Sequence, residues 1–290
     1  MLNCEKNKIV GVVITYNFQI DNLVKNIDRY LFGLDKLIIW QNSPFNCSDK
    51  KKIKNLRYSE RIEFWGDGEN KGICVPINEV ISKIGSEFKY IMTMDQDSYW
   101  YNFEEYLYSI NNYKQKSDGY IFGPKTLVAK LTNIEELEYI KDKSIDIVDF
   151  VITSGAIYEI NIFRKIGCFK ESYFIDAVDE EICYRAKNHN ILSLRVNNAI
   201  LIQTFGDPEE HSFFRRKVMY NKYSSKRLYY IVRNHIKLVR EYKFPFKKKF
   251  EIIYSYVIRV IIMIILFDED RIVKLKEVFK GIKEGMNSQV

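Results

Sequence analysis

Short apolar runs of β-branched residues alternate with helical patterns through the first two thirds of this 290-residue chain, and this alternation constrains the fold most. Ile9–Thr15 (IVGVVIT) has the composition of a strand buried on both faces, and Leu37–Trp40 and Tyr90–Met94 repeat it. Helical patterns over 18–31 and 73–84 lie between them. We therefore predict an α/β domain with a mostly parallel sheet flanked by helices, whose ligands bind at the carboxyl ends of the strands.

The chain changes character near residue 210. Weaker strand patterns precede this point at 61–65, 119–126, 150–159 and 191–196. From Phe213 the pattern predicts one long helix or two, up to Tyr242, and Phe244-Pro245-Phe246 then breaks it. We therefore divide the chain into an α/β domain over 1–210 and a basic, helical C-terminal region over 211–290.

The two parts differ in charge. Residues 211–290 carry 19 Lys and Arg against 7 Asp and Glu, a net charge of +12, whereas residues 1–210 carry −5. Such asymmetry favours a basic region that meets an anionic surface, with nucleic acid and anionic lipid as candidates. The segment Ile252–Phe267 has one charge, Arg259, and is shorter than the roughly 20 apolar residues that cross a bilayer. Burial in the protein or in a dimer, and a membrane-surface helix helped by Lys247–Lys249, both stay open.

The cysteines and the N-terminus favour a reduced, cytoplasmic protein. The five cysteines are widely spaced and form no C-x-x-C pair, which argues against a disulfide framework or a thiolate zinc site. The first residues, MLNCEKNKIVGVVITYN, contain no long apolar stretch ahead of a cleavage site, so we expect no signal peptide.

Each predicted strand ends in a polar cluster. The clusters are Thr15-Tyr16-Asn17, Gln41-Asn42-Ser43, 67–72 (DGENKG) and 95–98 (DQDS). One such cluster is ordinarily a turn and a helix cap, but four on one edge of a parallel sheet predict a ligand site. Asp95 and Asp97 form a D-x-D motif, and side chains two apart on an extended chain lean the same way. A solvated turn is the plain alternative, yet this pair directly follows a buried strand and can hold Mg²⁺ or Mn²⁺.

Two further groups carry chemistry. Asp176 and Asp179–Glu181 surround the start of a predicted helix. An acidic residue at this position complements the helix dipole, which accounts for Glu180. A carboxylate held here, such as that of Asp176, can also serve as a general base. The small residues Ser154 and Gly155 allow close approach of a ligand or tight packing. Basic and aromatic residues share a later helix face: Arg215, Arg216, Lys226, Arg227, Tyr229, Tyr230, Arg233 and Asn234. Arginine binds phosphate in a forked geometry, while a solvated basic face is the alternative, preferred for Lys226. We expect no nucleic-acid partner, because no such motif appears and the acidic pairs repel a polyanion.

These pieces, in this order, resemble a known family. They are VVITYN (12–17), Asn42-Ser43, Asn70–Ile73, MDQDS (94–98), Ser154–Phe169, Tyr173–Arg185 and Arg227–Asn234. Over roughly residues 8 to 240 the chain resembles family 2 glycosyltransferases of the GT-A (Rossmann-like) fold, and in particular the bacterial rhamnosyltransferase-like branch that builds surface polysaccharides.

The resemblance implies an inverting, metal-dependent hexosyltransferase, with dTDP-L-rhamnose as the best guess for the donor. It implies Asp179 as the catalytic base, with Asp176 and Glu181 beside it. It implies a nucleotide-sugar site formed by Thr15, Tyr16, Asn17, Gln41, Asn42, Asn70, Gly72, Asp95, Gln96, Ser154, Gly155, Arg227, Tyr230 and Arg233. Mn²⁺ or Mg²⁺ would be held by Asp95, Asp97 and Gln203. The family has Asp at the position of Gln41 and His at that of Gln203, and His211 is a nearby substitute for the latter.

The resemblance also implies binding partners, and alternative donors and functions stay open beside it. The acceptor is expected to be a lipid-linked (polyprenyl diphosphate) saccharide at the inner face of the cytoplasmic membrane, with peripheral membrane contact and a possible homodimer. The donor can instead be a UDP-hexose, for galactosyl, glucosyl or galactofuranosyl transfer. A nucleotidyltransferase is disfavoured, since Tyr16–Gln19 lacks a glycine or a basic residue. A non-catalytic scaffold is favoured by Gln41 and Gln203 and opposed by Asp95, Asp97 and Asp179.

Overall fold

The computed structural model describes residues 8–84, 87–114, 117–129, 137, 142–204, 208–213 and 216–288. The chain forms two compact units. The first contains the chain up to Glu171 together with Ile182–Thr204, and the second contains Ser172–Glu181 together with the chain from Phe205 onward. The segment Ser172–Glu181, which carries the second group of carboxylates, therefore belongs with the C-terminal helices, a grouping that the sequence did not indicate.

Over its described residues, the first unit is built on a sheet of nine strands. In chain order they are β1 Ile9–Thr15, β2 Lys36–Gln41, β3 Ile62–Trp65, β4 Tyr90–Asp95, β5 Tyr99–Trp100, β6 Tyr120–Val128, β7 Ile145–Val148, β8 Ile157–Glu159 and β9 Leu192–Gln203. Their order is β3-β2-β1-β4-β8-β6-β9-β5, and β7 pairs with β9. Strands β1 to β4 are mutually parallel, so their carboxyl ends share one edge. The predicted α/β fold with a mostly parallel sheet is confirmed.

Helices cover this sheet. They are α1 Ile20–Asp28, α2 Cys47–Lys54, α3 Cys74–Ile84, α4 Phe103–Asn112 and α5 Ile162–Ile166, and α6 Val178–Lys187 begins in the second unit and ends in the first. Strand β1 is buried on both faces, as its apolar run predicts, with Val10, Val12 and Val13 fully enclosed. Gly11 is needed for close packing, since a Cβ there would lie 2.5 Å from Leu34 Cδ1.

Two predicted strands have different lengths in the structure. The pattern over 150–159 forms only the short β8, because the chain turns at Gly155, whose φ of +77° favours glycine. The pattern over 191–196 continues to Gln203 through two buried asparagines. Asn197 Nδ2 donates to Ser144 Oγ (2.7 Å) and Asn198 Nδ2 to Glu105 Oε2 (3.1 Å), so polar residues continue a buried strand.

The second unit contains a hairpin followed by helices. Its elements are β10 Pro208–Phe213, β11 Arg216–Asn221, α7 Ser225–Glu241, α8 Phe246–Ile253, a π-helical segment Tyr254–Ile258, α9 Arg259–Phe267 and α10 Arg271–Asn287. The prediction of a helix from Phe213 was wrong, because β10 and β11 pair as antiparallel strands there. Helix α7 begins after Ser224, whose Oγ accepts from Arg227 N (3.3 Å). The predicted break at Pro245 is confirmed, since α8 starts directly after it.

The continuous helix Phe246–Phe267 has the length and composition of a membrane span, a test that core helices of other proteins also pass. It belongs to a small apolar core in which Val257 and Ile264 pack with Val232 of α7 and Val278 of α10. Among the described residues, this core is distinct from the larger one around β1 and β4.

Candidate active site

Hydrogen bonds between a side chain and the backbone join the loops that follow β1 and β4. The Gln96 side chain accepts from Tyr16 N (2.7 Å) through Oε1 and donates from Nε2 to Tyr16 O (2.9 Å). Asn17 has a left-handed φ of +47°, and its N–H donates to Ser43 Oγ (3.0 Å). Polar residues after β1, β2 and β4 therefore meet at one edge of the sheet.

Asn42 organises the loop after β3. It is 3% exposed, and its Oδ1 accepts from Trp40 Nε1 (3.2 Å) and Lys71 N (3.1 Å). Its Nδ2 donates to Gly72 O (2.8 Å), while Asn70 Oδ1 accepts from Gly72 N (3.0 Å). The structure thus uses both asparagine side chains to shape residues 70–72.

Two residues that the resemblance assigned to the nucleotide have structural partners instead. Thr15 is fully buried, and its hydroxyl donates to Trp40 O (2.8 Å). Gln41 Nε2 lies 3.3 Å from the carbonyl oxygens of Trp65 and Gly66. These side chains join neighbouring strands, because a polar group at the end of a buried strand needs a partner.

A cleft of about 390 Å³ lies at the ends of β2 and β3, where the sequence predicted polar clusters but did not single out the two tryptophans or the residues of α3. Its lining is Trp40, Trp65, Gly66, Asp67, Lys71, Glu79 and Lys83. It offers aromatic rings and two lysines, each paired with a carboxylate: Lys71 Nζ lies 2.6 Å from Asp67 Oδ2, and Lys83 Nζ lies 2.6 Å from Glu79 Oε2 and 5.1 Å from the Trp65 ring. The one sequence signal that could have predicted this cleft is Trp65 at the end of β3, directly before the turn residues Gly66 and Asp67.

The acidic pair follows β4. Asp95 N donates to Ser154 Oγ (3.2 Å), and Asp95 Oδ2 accepts from Gln203 Nε2 (3.0 Å). Gly155 N donates to Thr93 O (2.7 Å), which holds the small-residue turn against β4. Asp97 is exposed and lines a second cavity of about 410 Å³. That cavity is lined by Asn17, Phe18, Gln19, Asn22, Asn26, Gln96, Asp97, Tyr99 and Thr204.

The residues around Asp95 suit a hard cation. In the described part of the chain, no three His, Cys, Asp or Glu side chains gather as a metal site. Gln203 Oε1 is nevertheless buried without a hydrogen-bond partner, while its Nε2 contacts Asp95. Asp95 and Asp97 carry carboxylate oxygens and Gln203 carries an amide oxygen, and oxygen ligands are the kind that Mg²⁺ or Mn²⁺ accepts alongside water and phosphate. The His211 side chain lies outside the described residues.

In the second unit, a strained loop precedes α6. Phe174, Asp176 and Ala177 have φ values of +59°, +63° and +57°, a region that non-glycine residues seldom adopt. The fully buried Asn234 holds this loop, since its Nδ2 lies 2.7 to 2.9 Å from the carbonyl oxygens of Tyr173, Ile175 and Asp176. Strain of this kind persists only where the surroundings over-determine it.

Helix α7 contributes further supports to the loop. Tyr230 stacks on Phe174 with ring centroids 5.0 Å apart, and Arg233 Nη2 donates to Ser172 O. Tyr230 and Arg233, which the resemblance placed at the nucleotide sugar, therefore hold loop 172–177. Arg227 Nη2 lies 3.3 Å from Asp176 Oδ1.

Asp176 and Asp179 are carboxyl groups with raised pKa values. Burial raises the pKa of Asp176, against the attraction of Arg227, and its Oδ2 is buried without a hydrogen-bond partner. Burial raises the pKa of Asp179 to about 6, and the charge of Asp176 adds to this. Asp179 stands in the first turn of α6, where its Oδ1 accepts from Glu180 N (3.1 Å). A carboxylate with this pKa suits general-base chemistry near neutral pH.

The neighbouring glutamates differ from expectation. Glu181 is 1% exposed and its Oε1 accepts from Tyr242 Oη (2.6 Å), so it has a structural partner in the second unit. Glu180, which was expected to complement the helix dipole, is also buried. Its carboxylate lies 3.6 Å from His235 Nε2 and 3.4 Å from Tyr256 Oη.

Burial favours the uncharged forms of both Glu180 and His235. Burial and the charge of Asp179 raise the pKa of Glu180 to about 8, while burial lowers the pKa of His235 to about 4. His235 stacks on Tyr256 with centroids 3.5 Å apart. The sequence did not indicate this cluster, because nothing in the apolar pattern of 252–267 singles out Tyr256 as an inward residue.

A cavity of about 250 Å³ lies beside these groups within the second unit. Its polar lining is Asp176, Tyr220, Asn221, Tyr223, His235, Ser255, Tyr256 and Arg259, and its apolar lining is Met219, Leu228, Ile231, Val260 and Met263. The unpaired buried oxygens Asp176 Oδ2 and Asn221 Oδ1 belong to lining residues, so the cavity offers hydrogen-bond acceptors to a ligand.

Comparison with known proteins gives one sequence relative and several structural ones. The dTDP-rhamnosyl transferase RfbF of Shigella flexneri is 25% identical over 252 residues, which cover 82% of each chain. No family model matches the chain.

Three solved structures share its fold. GalNAc-T7 with UDP, GalNAc and Mn²⁺ has a TM-score of 0.60 at 10% identity, covering 99% of this chain and 57% of its own. TarS 1-349 of S. aureus with UDP-GlcNAc has a TM-score of 0.55 at 13% identity, and the match covers 95% of this chain and 81% of TarS 1-349. The mannosyltransferase PcManGT of Pyrobaculum calidifontis with GDP-Man and Mn²⁺ has a TM-score of 0.55 at 11% identity, and the match covers 98% of this chain and 76% of PcManGT. This chain spans little more than half the length of GalNAc-T7.

These relatives are glycosyltransferases, and the fold that the chain shares with them is GT-A. The predicted resemblance, the fold class and the glycosyltransferase class of enzyme are therefore confirmed.

Proposed function

We propose that this chain is an inverting, metal-dependent rhamnosyltransferase. It would move L-rhamnose from dTDP-rhamnose to a lipid-linked oligosaccharide in the synthesis of a surface polysaccharide. The observation that carries the proposal is the acidic pair Asp95 and Asp97 at the carboxyl edge of four parallel strands. The similarity to RfbF favours this donor.

The nucleotide would bind in the cleft at the ends of β2 and β3. Trp65 offers a ring for stacking on the base, and Lys71 offers a cation beside it. Asn42 and Asn70 shape the loop that carries Lys71, so they act on the donor through the backbone of 70–72. The ligands of the neighbours TarS and GalNAc-T7 include UDP-GlcNAc and UDP, which favours a UDP-hexose as the second candidate donor.

A divalent ion would be held by Asp95, Asp97 and the amide oxygen of Gln203. When bound, Mn²⁺ or Mg²⁺ supplies positive charge that stabilises the departing diphosphate. Gln203 positions Asp95 through its Nε2, and the hydrogen bond from Asp95 N to Ser154 Oγ fixes the backbone at the same residue.

Asp179 would be the general base of a single displacement. It takes the proton of an acceptor hydroxyl, the acceptor oxygen forms a bond to the anomeric carbon, and the bond from that carbon to the diphosphate oxygen breaks. The leaving group carries the electron pair away as dTDP, and the sugar configuration inverts. Asp176 and loop 172–177 keep Asp179 at the start of α6.

The acceptor would be a polyprenyl-diphosphate saccharide at the inner face of the cytoplasmic membrane, with the protein in peripheral contact. The net charge of +12 over residues 211–290 supports contact with anionic lipid. A homodimer stays a prediction.

The proposal is tested with a panel of sugar nucleotides. Thermal stabilisation is measured for dTDP-rhamnose, UDP-galactose, UDP-glucose and UDP-galactofuranose, each with and without Mn²⁺. We expect dTDP-rhamnose to stabilise the protein most, and only fully with the metal. Stabilisation by one UDP-hexose alone would support the second candidate, and no response to any sugar nucleotide would favour the scaffold.

A further inference from the structure

The outer side of the helix Phe246–Phe267 is an exposed line of large apolar side chains. Phe246 is 86% exposed, Phe250 56% and Ile262 44%. The line consists of Phe246, Phe250, Tyr254, Ile258, Ile262 and Ile265, and we refer to it as the apolar stripe. Its members recur at three- or four-residue spacing over 20 residues, which places them on one helix face about 30 Å long.

The opposite side of the same helix is anchored in the second unit. Ile252, Val257 and Ile264 are buried, and the latter two pack with residues of α7 and α10. A single helix that crosses a bilayer is exposed to lipid on all sides, whereas one side of this helix packs against α7 and α10. The helix therefore has the form of one that lies along a surface rather than across a membrane.

Charge indicates what covers the apolar stripe. Lys247 and Arg259 of this helix are exposed and Lys248 and Lys249 are half-buried, so the helix carries four basic residues against the one exposed acidic residue Glu251. The net charge of +12 over 211–290 makes a second copy of this basic region a repulsive partner, while anionic lipid headgroups attract it. A surface that is both apolar and basic fits an anionic bilayer interface.

We infer that the apolar stripe lies in the headgroup region of an anionic membrane, parallel to its surface. Ser255 and Arg259 of this helix also line the 250 Å³ cavity that contains Asp176. The stripe would then hold that cavity at the lipid surface, where the diphosphate of a lipid-linked acceptor is found. The inference deepens the proposed function, and it depends on that proposal for the nature of the acceptor.

Vesicle sedimentation with the full chain tests the inference. Vesicles of phosphatidylcholine alone are compared with vesicles that also contain phosphatidylglycerol. We expect binding to the anionic vesicles and its loss at high salt. The stripe variant Phe250→Ser/Ile262→Ser should lower the partition coefficient by about tenfold or more. Replacing Lys247–Lys249 by Gln should lower it by on the order of a hundredfold at low salt.

A matched control removes exposed apolar residues from the first unit. Tyr108 and Ile147 are 68% and 59% exposed, and Tyr108→Ser/Ile147→Ser should bind vesicles like the unaltered protein. Equal binding by the stripe variant, or no binding to anionic vesicles, overturns the inference. A fall in molecular mass of the stripe variant in solution, with vesicle binding unchanged, also overturns it and identifies the stripe as a contact between copies.

The vesicles contain no sugar, so this result is independent of catalysis. Vesicle binding by a chain that transfers no sugar supports the inference and overturns the proposed function. Transfer to a soluble acceptor by a chain that ignores the vesicles overturns the inference alone.

Discussion

Replacing Asp179 by asparagine should make the protein inactive and more stable. Burial raises the pKa of Asp179 from 3.8 to about 6, so the folded chain binds a proton more tightly than the unfolded chain does. Between these values stability falls as pH rises, and above pH 6 the buried charge costs about 3 kcal/mol as an upper bound. Asparagine keeps an Oδ1 that can accept from Glu180 N and carries no charge. We therefore expect Asp179→Asn to raise the free energy of unfolding by about 1 to 3 kcal/mol at pH 7.

Urea unfolding of both proteins from pH 7 down to pH 4 measures this difference. The advantage of Asp179→Asn should shrink as pH falls below 6 and vanish near pH 4, because the aspartate is then protonated when folded. Sugar transfer should be lost while the thermal shift with the donor is kept. For the unaltered enzyme, kcat/KM should fall about tenfold per pH unit below 6. A variant that is less stable at pH 7, or that still transfers sugar, would refute the assignment of Asp179 as the buried base.

Substitutions at three other positions test separate parts of the molecule. Asn234→Ala removes an NH₂ group whose two hydrogens are shared among three carbonyl oxygens of loop 172–177, so it should lower the free energy of unfolding by about 2 kcal/mol, measured by urea titration, and reduce transfer. Gln203→His supplies a stronger metal ligand and should lower the Mn²⁺ concentration for half-maximal transfer, whereas Gln203→Ala should raise it. Equal Mn²⁺ dependence of the unaltered protein and both variants would exclude residue 203 from the metal site. Trp65→Ala should weaken donor binding by about tenfold in a calorimetric titration, and Trp65→Phe should retain it, unless the base binds elsewhere.

The parallel half of the sheet was predictable because its strands are buried on both faces. Ile9–Thr15 and Tyr90–Asp95 are near-continuous apolar runs, and the structure places both in the centre of the sheet. The hairpin of Pro208–Phe213 and Arg216–Asn221 was not predictable in this way. Its aromatic and basic residues resemble those of the helix that follows, and among the described residues its two strands pair with each other and not with the large sheet.

The candidate site was predictable in position and less so in residue roles. Strand ends locate the acidic pair, because parallel strands bring their carboxyl ends to one edge. Roles depend on contacts between distant parts of the chain, such as those of Asn234 with the backbone of 173–176. Glu180 illustrates the same point, since its burial against His235 and Tyr256 arises from helices 50 or more residues away.

The two glutamines that depart from the family pattern have different consequences. Gln41 Nε2 donates to the backbone carbonyl oxygens of Trp65 and Gly66, so this part of its side chain joins β2 to the end of β3. Gln203 donates to Asp95 but leaves Oε1 buried without a partner, and an unpaired buried oxygen costs roughly 1 to 3 kcal/mol unless something binds it. If the site holds a divalent ion, Gln203 Oε1 would be available as a ligand beside the carboxylates of Asp95 and Asp97, whereas Gln41 offers no such oxygen to that site. The Mn²⁺ dependence of the Gln203 variants therefore distinguishes a metal-binding role for this residue from a purely structural one.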